Sequence, residues 1–157
     1  MGVDSYIKIK GNIHIIERDL EGNVISESTQ SNLITNIMKT ALADVLTGDY
    51  DADKHVIGYI AVGTDDTAAN AADTALGAQV GDNKAYVAES LNNDSTATIA
   101  SATFFFDSTE SDYYETWAEI GLYAANGTDL LTHAVLESTK TFNNTKTITI
   151  GYTITFS

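Results

Sequence analysis

The sequence predicts a mainly β fold, a single-domain β-sandwich or jelly-roll-like arrangement with one long amphipathic helix at about 31–47. Three observations predict it. Both ends of the chain alternate apolar and polar residues with a period of two. Turn signals recur roughly every ten residues in the second half. Only one stretch repeats its apolar residues at helical spacing.

In the first predicted strand, Tyr6 to Ile16, Ile7, Ile9, Ile13 and Ile15 alternate with Lys8, Lys10, Asn12 and His14. That pattern buries one face. Gly11 in its middle marks a bulge or bend. Residues 18–23, with Gly22 and Asn23, read as a turn, and Val24 to Ser28 as the returning hairpin strand. Apolar pairs then follow at Leu33/Ile34, Ile37/Met38, Ala41/Leu42 and Val45/Leu46, on one helical stripe. Ser31 or Asn32 would cap the start of that helix and Gly48 its end.

Val56 to Gly63 is almost wholly apolar and reads as a strand covered on both faces. Thr64 to Gly77 reads as a long loop with a helical turn near Leu76, of a length that implies contact with something. The remaining predicted strands are Ala85–Leu91, Thr96–Phe106, Thr116–Ala124, Leu130–Glu137 and Thr145–Phe156. In the last, Ile148, Ile150, Tyr152, Ile154 and Phe156 share one face and four threonines share the other. Nothing divides the composition, so 1–157 reads as one β-rich domain: a hairpin and helix (1–48), then loops and strands (49–157).

Composition excludes several functions. The chain of 157 residues has 22 carboxylates against 8 Lys and Arg, a formal charge of −14. That balance argues against nucleic acid and anionic membrane surfaces, which need clustered cations. The chain has no cysteine, which rules out disulfides, thiolate metal sites and cysteine nucleophiles. It has no run of about 18 apolar residues and no basic start leading into an apolar core.

Three constellations merit weighing. Asp49, Asp51 and Asp53 alternate like the carboxylates of a calcium loop. An EF-hand would need Gly where Lys54 stands and Glu where Ile60 stands, so the EF-hand reading fails and only weak metal candidates remain. His14, His55 and His133 have no metal-ligand spacing. Tyr113, Tyr114 and Trp117, beside Asp112, Glu115 and Glu119, form the densest aromatic and acidic cluster. It reads either as a contact patch for a glycan or protein, or as core aromatics at a strand entrance. No nucleophile elbow or phosphate-binding loop is present, so no catalytic residue and no cofactor is expected.

The order of certain stretches resembles small virion structural proteins of tailed phages and related viruses. The first is the Gly22 hairpin leading into Ser31-Asn32-Leu33-Ile34-Thr35-Asn36 and the helix. The second is Ile60-Ala61-Val62-Gly63-Thr64-Asp65, followed by an Ala-rich loop ending Asp73-Thr74-Ala75-Leu76. The third is Ala118-Glu119-Ile120-Gly121-Leu122-Tyr123, then Leu130-Leu131-Thr132-His133-Ala134. An amphipathic strand after Lys140 completes the pattern. That family often has proline in the loop after the Gly-Thr motif, and this chain has none. The resemblance implies a non-enzymatic subunit assembled in the host cytoplasm and carried on the virion surface. It would decorate the head as a capsid protein or form part of the tail apparatus. Its partners would be its own copies and other virion structural proteins. The alternative expectation is a carbohydrate- or receptor-binding tail-fibre module meeting a host glycan or receptor, with calcium assistance.

Overall fold

A computed structural model of the chain describes residues 7–94, 96 and 98–157. Tyr6 of the predicted first strand, the opening residues 1–4 and Ala97 lie outside the described residues. The fold is mainly β. Strands β1 (Ile9–Asp19), β2 (Val24–Ile34), β3 (Ile57–Gly63), β4 (Gln79–Ala85), β5 (Asn92–Asp94), β6 (Ile99–Phe106), β7 (Thr116–Ala124), β8 (Leu130–Thr141) and β9 (Lys146–Phe156) form one sheet. Its nine strands run in the order β4-β3-β7-β8-β2-β1-β9-β6-β5, every pair antiparallel.

The alternation read in the sequence builds the core. Ile13 and Ile15 of β1 and Ile148, Ile150, Tyr152 and Ile154 of β9 are buried, with half-buried threonines behind the β9 set. These side chains share one cluster with Phe104 and Phe106 of β6, Ile60 and Val62 of β3, and Ile120 and Leu122 of β7. Strands far apart in the ladder thus meet face to face, so the sheet is curled. Phe106, Tyr113, Trp117 and Phe142 interlock at one end, with ring centroids 4.8 to 6.1 Å from Phe106. Such tilted and edge-on pairs suit the quadrupoles of the rings.

Strand β2 makes the curl. From Val24 to Asn32 it pairs with β1, but only Leu33 and Ile34 pair with β8. Where β2 and β8 separate, side chains replace backbone rungs. The Gln30 amide donates to the Val135 carbonyl at 2.9 Å and accepts from the Glu137 N–H at 3.1 Å. Beyond it, the buried Lys140 ammonium of β8 lies 3.4 Å from Glu17 of β1, which also holds Lys146 of β9 at 3.0 Å. Burial opposes ionisation of Glu17. The bonds from Lys146 and Ser26 and the two lysine charges outweigh it and hold the carboxyl below its ordinary value.

Several boundaries differ from the sequence reading, each for a physical reason. Strand β2 runs on to Ile34 rather than stopping at Ser28, because pairing with β1 carries its polar residues. The helix α1 is shorter than predicted, Asn36–Thr47. Its cap is Thr35, not Ser31 or Asn32: the Thr35 hydroxyl accepts from the Met38 N–H at 3.3 Å and donates to the Leu130 carbonyl at 2.6 Å. That bond ties the strand-to-helix junction to β8. Gly48, at φ +81°, ends the helix as expected. Ala85–Leu91 is not a strand, since Glu89 turns it at φ +63°; the pairing falls earlier, in β4. The predicted turn Asn92–Asp94 is the short edge strand β5.

The seam yields a stability prediction. Glu17→Ala leaves two lysine ammonium groups without their carboxylate and should cost about 3–5 kcal/mol in urea unfolding. Changing Glu17 and Lys140 together to methionine should recover part of that loss. A cost below about 1 kcal/mol for Glu17→Ala would mean that the seam is solvated and the pair is not holding it.

Candidate functional site

The long loop predicted over 64–77 spans 64–78; it joins β3 to β4 and lies on the face of β7 and β8 that points away from the main core. Along β7, Ile120, Leu122 and Ala124 enter the core, while Glu119, Gly121 and Tyr123 meet the loop. A register shift between Trp117 and Glu119 keeps Trp117 on the core side. Gly121 stands opposite His133 of β8, and Glu119 opposite Val135. Glu119 and His133 are therefore diagonal neighbours on one face.

These side chains form a closed clamp. His133 Nε2 lies 2.9 Å from Glu119 Oε2, and Nδ1 lies 2.7 Å from Asp73 Oδ2. Glu119 is almost fully buried, and its carboxylate also accepts from the N–H groups of Gly77 at 3.0 Å and Ala78 at 2.8 Å. Asp73 also accepts from the Asn70 N–H at 2.7 Å. That backbone bond chiefly holds the Asp73 carboxyl below its ordinary value, with His133 adding to it against the cost of burial.

Space for the clamp comes from missing side chains. A Cβ on Gly63 would strike Glu119 at 2.3 Å, and one on Gly77 would strike Asp65 at 1.9 Å. Gly121 leaves room for Leu76, which packs with Ala61, Tyr123 and Leu130 in a second small core. The Tyr123 hydroxyl accepts from the Leu76 N–H at 3.2 Å. The loop is also held from its other side, where its Ala71 carbonyl accepts from the Asn36 N–H at 2.7 Å.

The arrangement limits the chemistry. A histidine beside a carboxylate is the orienting half of a nucleophilic dyad, but general-base work needs one free ring nitrogen. Here both nitrogens face carboxylates. The clamp is built to hold a loop in place.

Of the residues singled out from the sequence, His133 and Glu119 meet in the clamp, and the others lie elsewhere. Trp117 is fully buried and donates from Nε1 to the Tyr113 carbonyl at 2.9 Å. Tyr113 is buried and its hydroxyl donates to the Asp82 carbonyl at 3.0 Å. Burial, and then the charges of Glu110, Asp82 and Asp112, push that hydroxyl's pKa up. Tyr114, half-buried, donates to the Ser108 carbonyl. These rings are turned into the protein at the entrance to β7. Asp51 caps the short helix α2 (Ala52–His55) by accepting from the Asp53 N–H at 3.0 Å, and the Asp53 carbonyl accepts from the Asn126 N–H. Asp49 follows the α1 cap, its N–H donating to the Asp44 carbonyl. Among the described residues, no group of three or more histidines and carboxylates is placed to hold a metal ion. The histidines keep separate company: His14 lies 2.7 Å from Glu27, and His55 accepts from the Asp51 N–H at 2.8 Å.

No protein-family model, curated protein or solved structure matches this chain. Its functional reading therefore rests on its own residues. The sequence did hold one signal for the clamp. Glu119 lies within the apolar run Trp117–Tyr123 and His133 within Leu130–Leu136, each the one acidic or basic side chain of its run. A buried polar group in such a place needs a partner.

Two measurements probe the clamp. In Glu119→Gln the Gly77 and Ala78 amides lose a charged acceptor, and their hydrogen exchange should quicken about tenfold. Unchanged exchange would mean that Leu76 and Tyr123 hold the loop unaided. The second measurement is pH. The Asp73 carboxyl is lower in the folded chain than in the unfolded one, so its contribution is complete above the unfolded value and lost as pH falls through the folded one. The stability gap between the native chain and Asp73→Asn should thus be full at neutral pH and close as pH falls below about 4. A gap independent of pH would exclude ionised Asp73 from the clamp.

Proposed function

We propose that this chain is a non-enzymatic structural subunit of a virus particle, carried on the surface of the head or tail of a tailed phage or a related virus. One observation carries this reading. Stretches that hold the sequence resemblance lie far apart in the chain, and the fold uses them together. Gly63, Asp65, Asp73, Leu76, Glu119, Gly121, Tyr123 and His133 are the residues that build, clear or flank the clamp. The helix start at Thr35 and Asn36 holds the same loop and β8. In this reading the motifs serve to fix one long loop to a rigid sheet, as an assembling subunit needs. The curled sheet, folded over one core through β2, is then a sandwich of the jelly-roll-like kind that virion subunits use. The acidic exterior keeps unassembled copies soluble and away from packaged DNA.

The test is the particle itself. Virions purified from a host carrying this gene should contain the chain at a fixed copy number per particle by quantitative mass spectrometry. Antibody-labelled electron microscopy should place it on the outer surface. Its absence from purified particles would overturn the proposal.

A further inference from the structure

Among the described residues, large apolar side chains are left exposed in clusters at two places. The first is a groove of about 340 Å³ between α1 and the paired ends of β1 and β9, lined by Ile7, Ile9, Leu42, Val45, Leu46 and Phe156. Leu46 is 83% exposed and Ile7 72%. The floor is firm, because the Lys8 and Ser157 backbones bond to each other in both directions. The second is the tip of the β1–β2 hairpin, where Leu20, Val24 and Ile25 are each more than half exposed. The tip is also firm: the Asp19 carboxylate accepts from the Glu21 and Asn23 N–H groups at 3.0 and 2.8 Å.

Charge separates the two. Lys39 is the one charged side chain that lines the groove; Lys8 and Lys10, which alternate with Ile7 and Ile9, point to the opposite side. Lys39 takes no part in the ion pairs formed among the described residues. The α1 carboxylate Asp44 lies toward His55, 3.7 Å away. The groove lining thus has one cation and no carboxylate, on a chain of net charge −14. The hairpin tip has Asp19 and Glu21 against the single cation Arg18. One patch is apolar with a cation, the other apolar with carboxylates.

We propose that copies of this chain dock head to tail, the hairpin tip of one seating in the α1 groove of the next. A copy's own hairpin tip cannot reach its own groove. The groove lies at the start of β1 and the tip just beyond its end, roughly 34 Å away at about 3.4 Å per residue. The contact joins two different surfaces, so it repeats: each added copy offers a fresh tip and a fresh groove. The relative rotation of successive copies decides whether a ring closes or a filament grows. Buried apolar side chains hold the contact, while Lys39 and the tip carboxylates steer it and set its salt dependence. This inference deepens the assembly reading above and rests on it.

Sedimentation velocity on the purified chain tests it. At low salt the native chain should associate progressively with concentration, and more weakly as salt rises. Leu46→Glu spoils the groove and Ile25→Lys spoils the tip. Both positions are exposed, so circular dichroism should report an unchanged fold. Each variant alone should lose at least tenfold in association. Mixed one to one, the intact tip of Leu46→Glu meets the intact groove of Ile25→Lys, and the mixture should form dimers and stop there. A native chain that stays monomeric up to roughly 1 mM overturns the proposal. So does an Ile25→Lys variant that assembles normally, which would indicate groove against groove. Binding to lipid vesicles by a monomeric native chain would assign the groove to an amphiphile instead. A chain that is monomeric in solution yet present in virions would sink the head-to-tail contact and leave the particle reading standing.

Discussion

Strand β2 has to serve two neighbours that do not run together. Its first nine residues belong to β1, and its last two to β8. Backbone hydrogen bonds cannot span the opening between β2 and β8, and unpaired buried polar groups are costly. The chain answers with side chains that imitate a ladder. Gln30 gives and takes one bond each, as a peptide unit would, and Glu17 gathers lysines from two other strands. The curl, the shared core and the position of α1 all depend on that opening being closed. Once it is, β3 and β7 can face β9 and β6 across a continuous apolar layer.

The far side of β7 meets the opposite problem. It has no second layer of strands over it, only a loop. A long loop loses much conformational entropy when ordered, and small apolar contacts offset little of it. The chain adds a buried charged network, in which each acceptor has more than one donor: backbone N–H groups bond to Glu119 and Asp73, and the His133 ring joins the two. Burial strengthens such bonds, and the same burial makes any single loss expensive.

Legibility in the sequence followed the range of the interaction. The β1 and β9 alternation, the Gly22 turn and the Gly48 cap are local, and each was readable from a few adjacent residues. The extension of β2 was not, because Ser26 to Asn32 has no apolar rhythm and becomes a strand only beside β1. Leu33 and Ile34 fitted the helical stripe in sequence, yet their backbone pairs with β8 and the turn of helix begins after Thr35. The clamp needed three facts that no window of sequence holds: that β7 and β8 are neighbours, that their register is diagonal at Glu119 and His133, and that the loop folds back far enough to bring Asp73 to the ring. The aromatic cluster was readable as residues but not as direction, since its rings turn inward at a register shift.

The pairing of β1 with β9 also governs when the molecule can come into being. These two strands lie side by side in the middle of the sheet, from Ile9 against Phe156 to Asp19 against Lys146. Nearly the whole chain separates them in synthesis. Ile13 and Ile15 therefore have no β9 beside them while the ribosome is still making the rest, and β6 waits for the same partner. Contacts of such long sequence separation form slowly, and they leave apolar strand faces open to chaperones or to other nascent chains in the meantime. A copy cut short before β9 lacks the strand that joins β1 to β6. Synthesis of β9 is thus the step at which β1 and β6, made long before it, can be joined into one sheet.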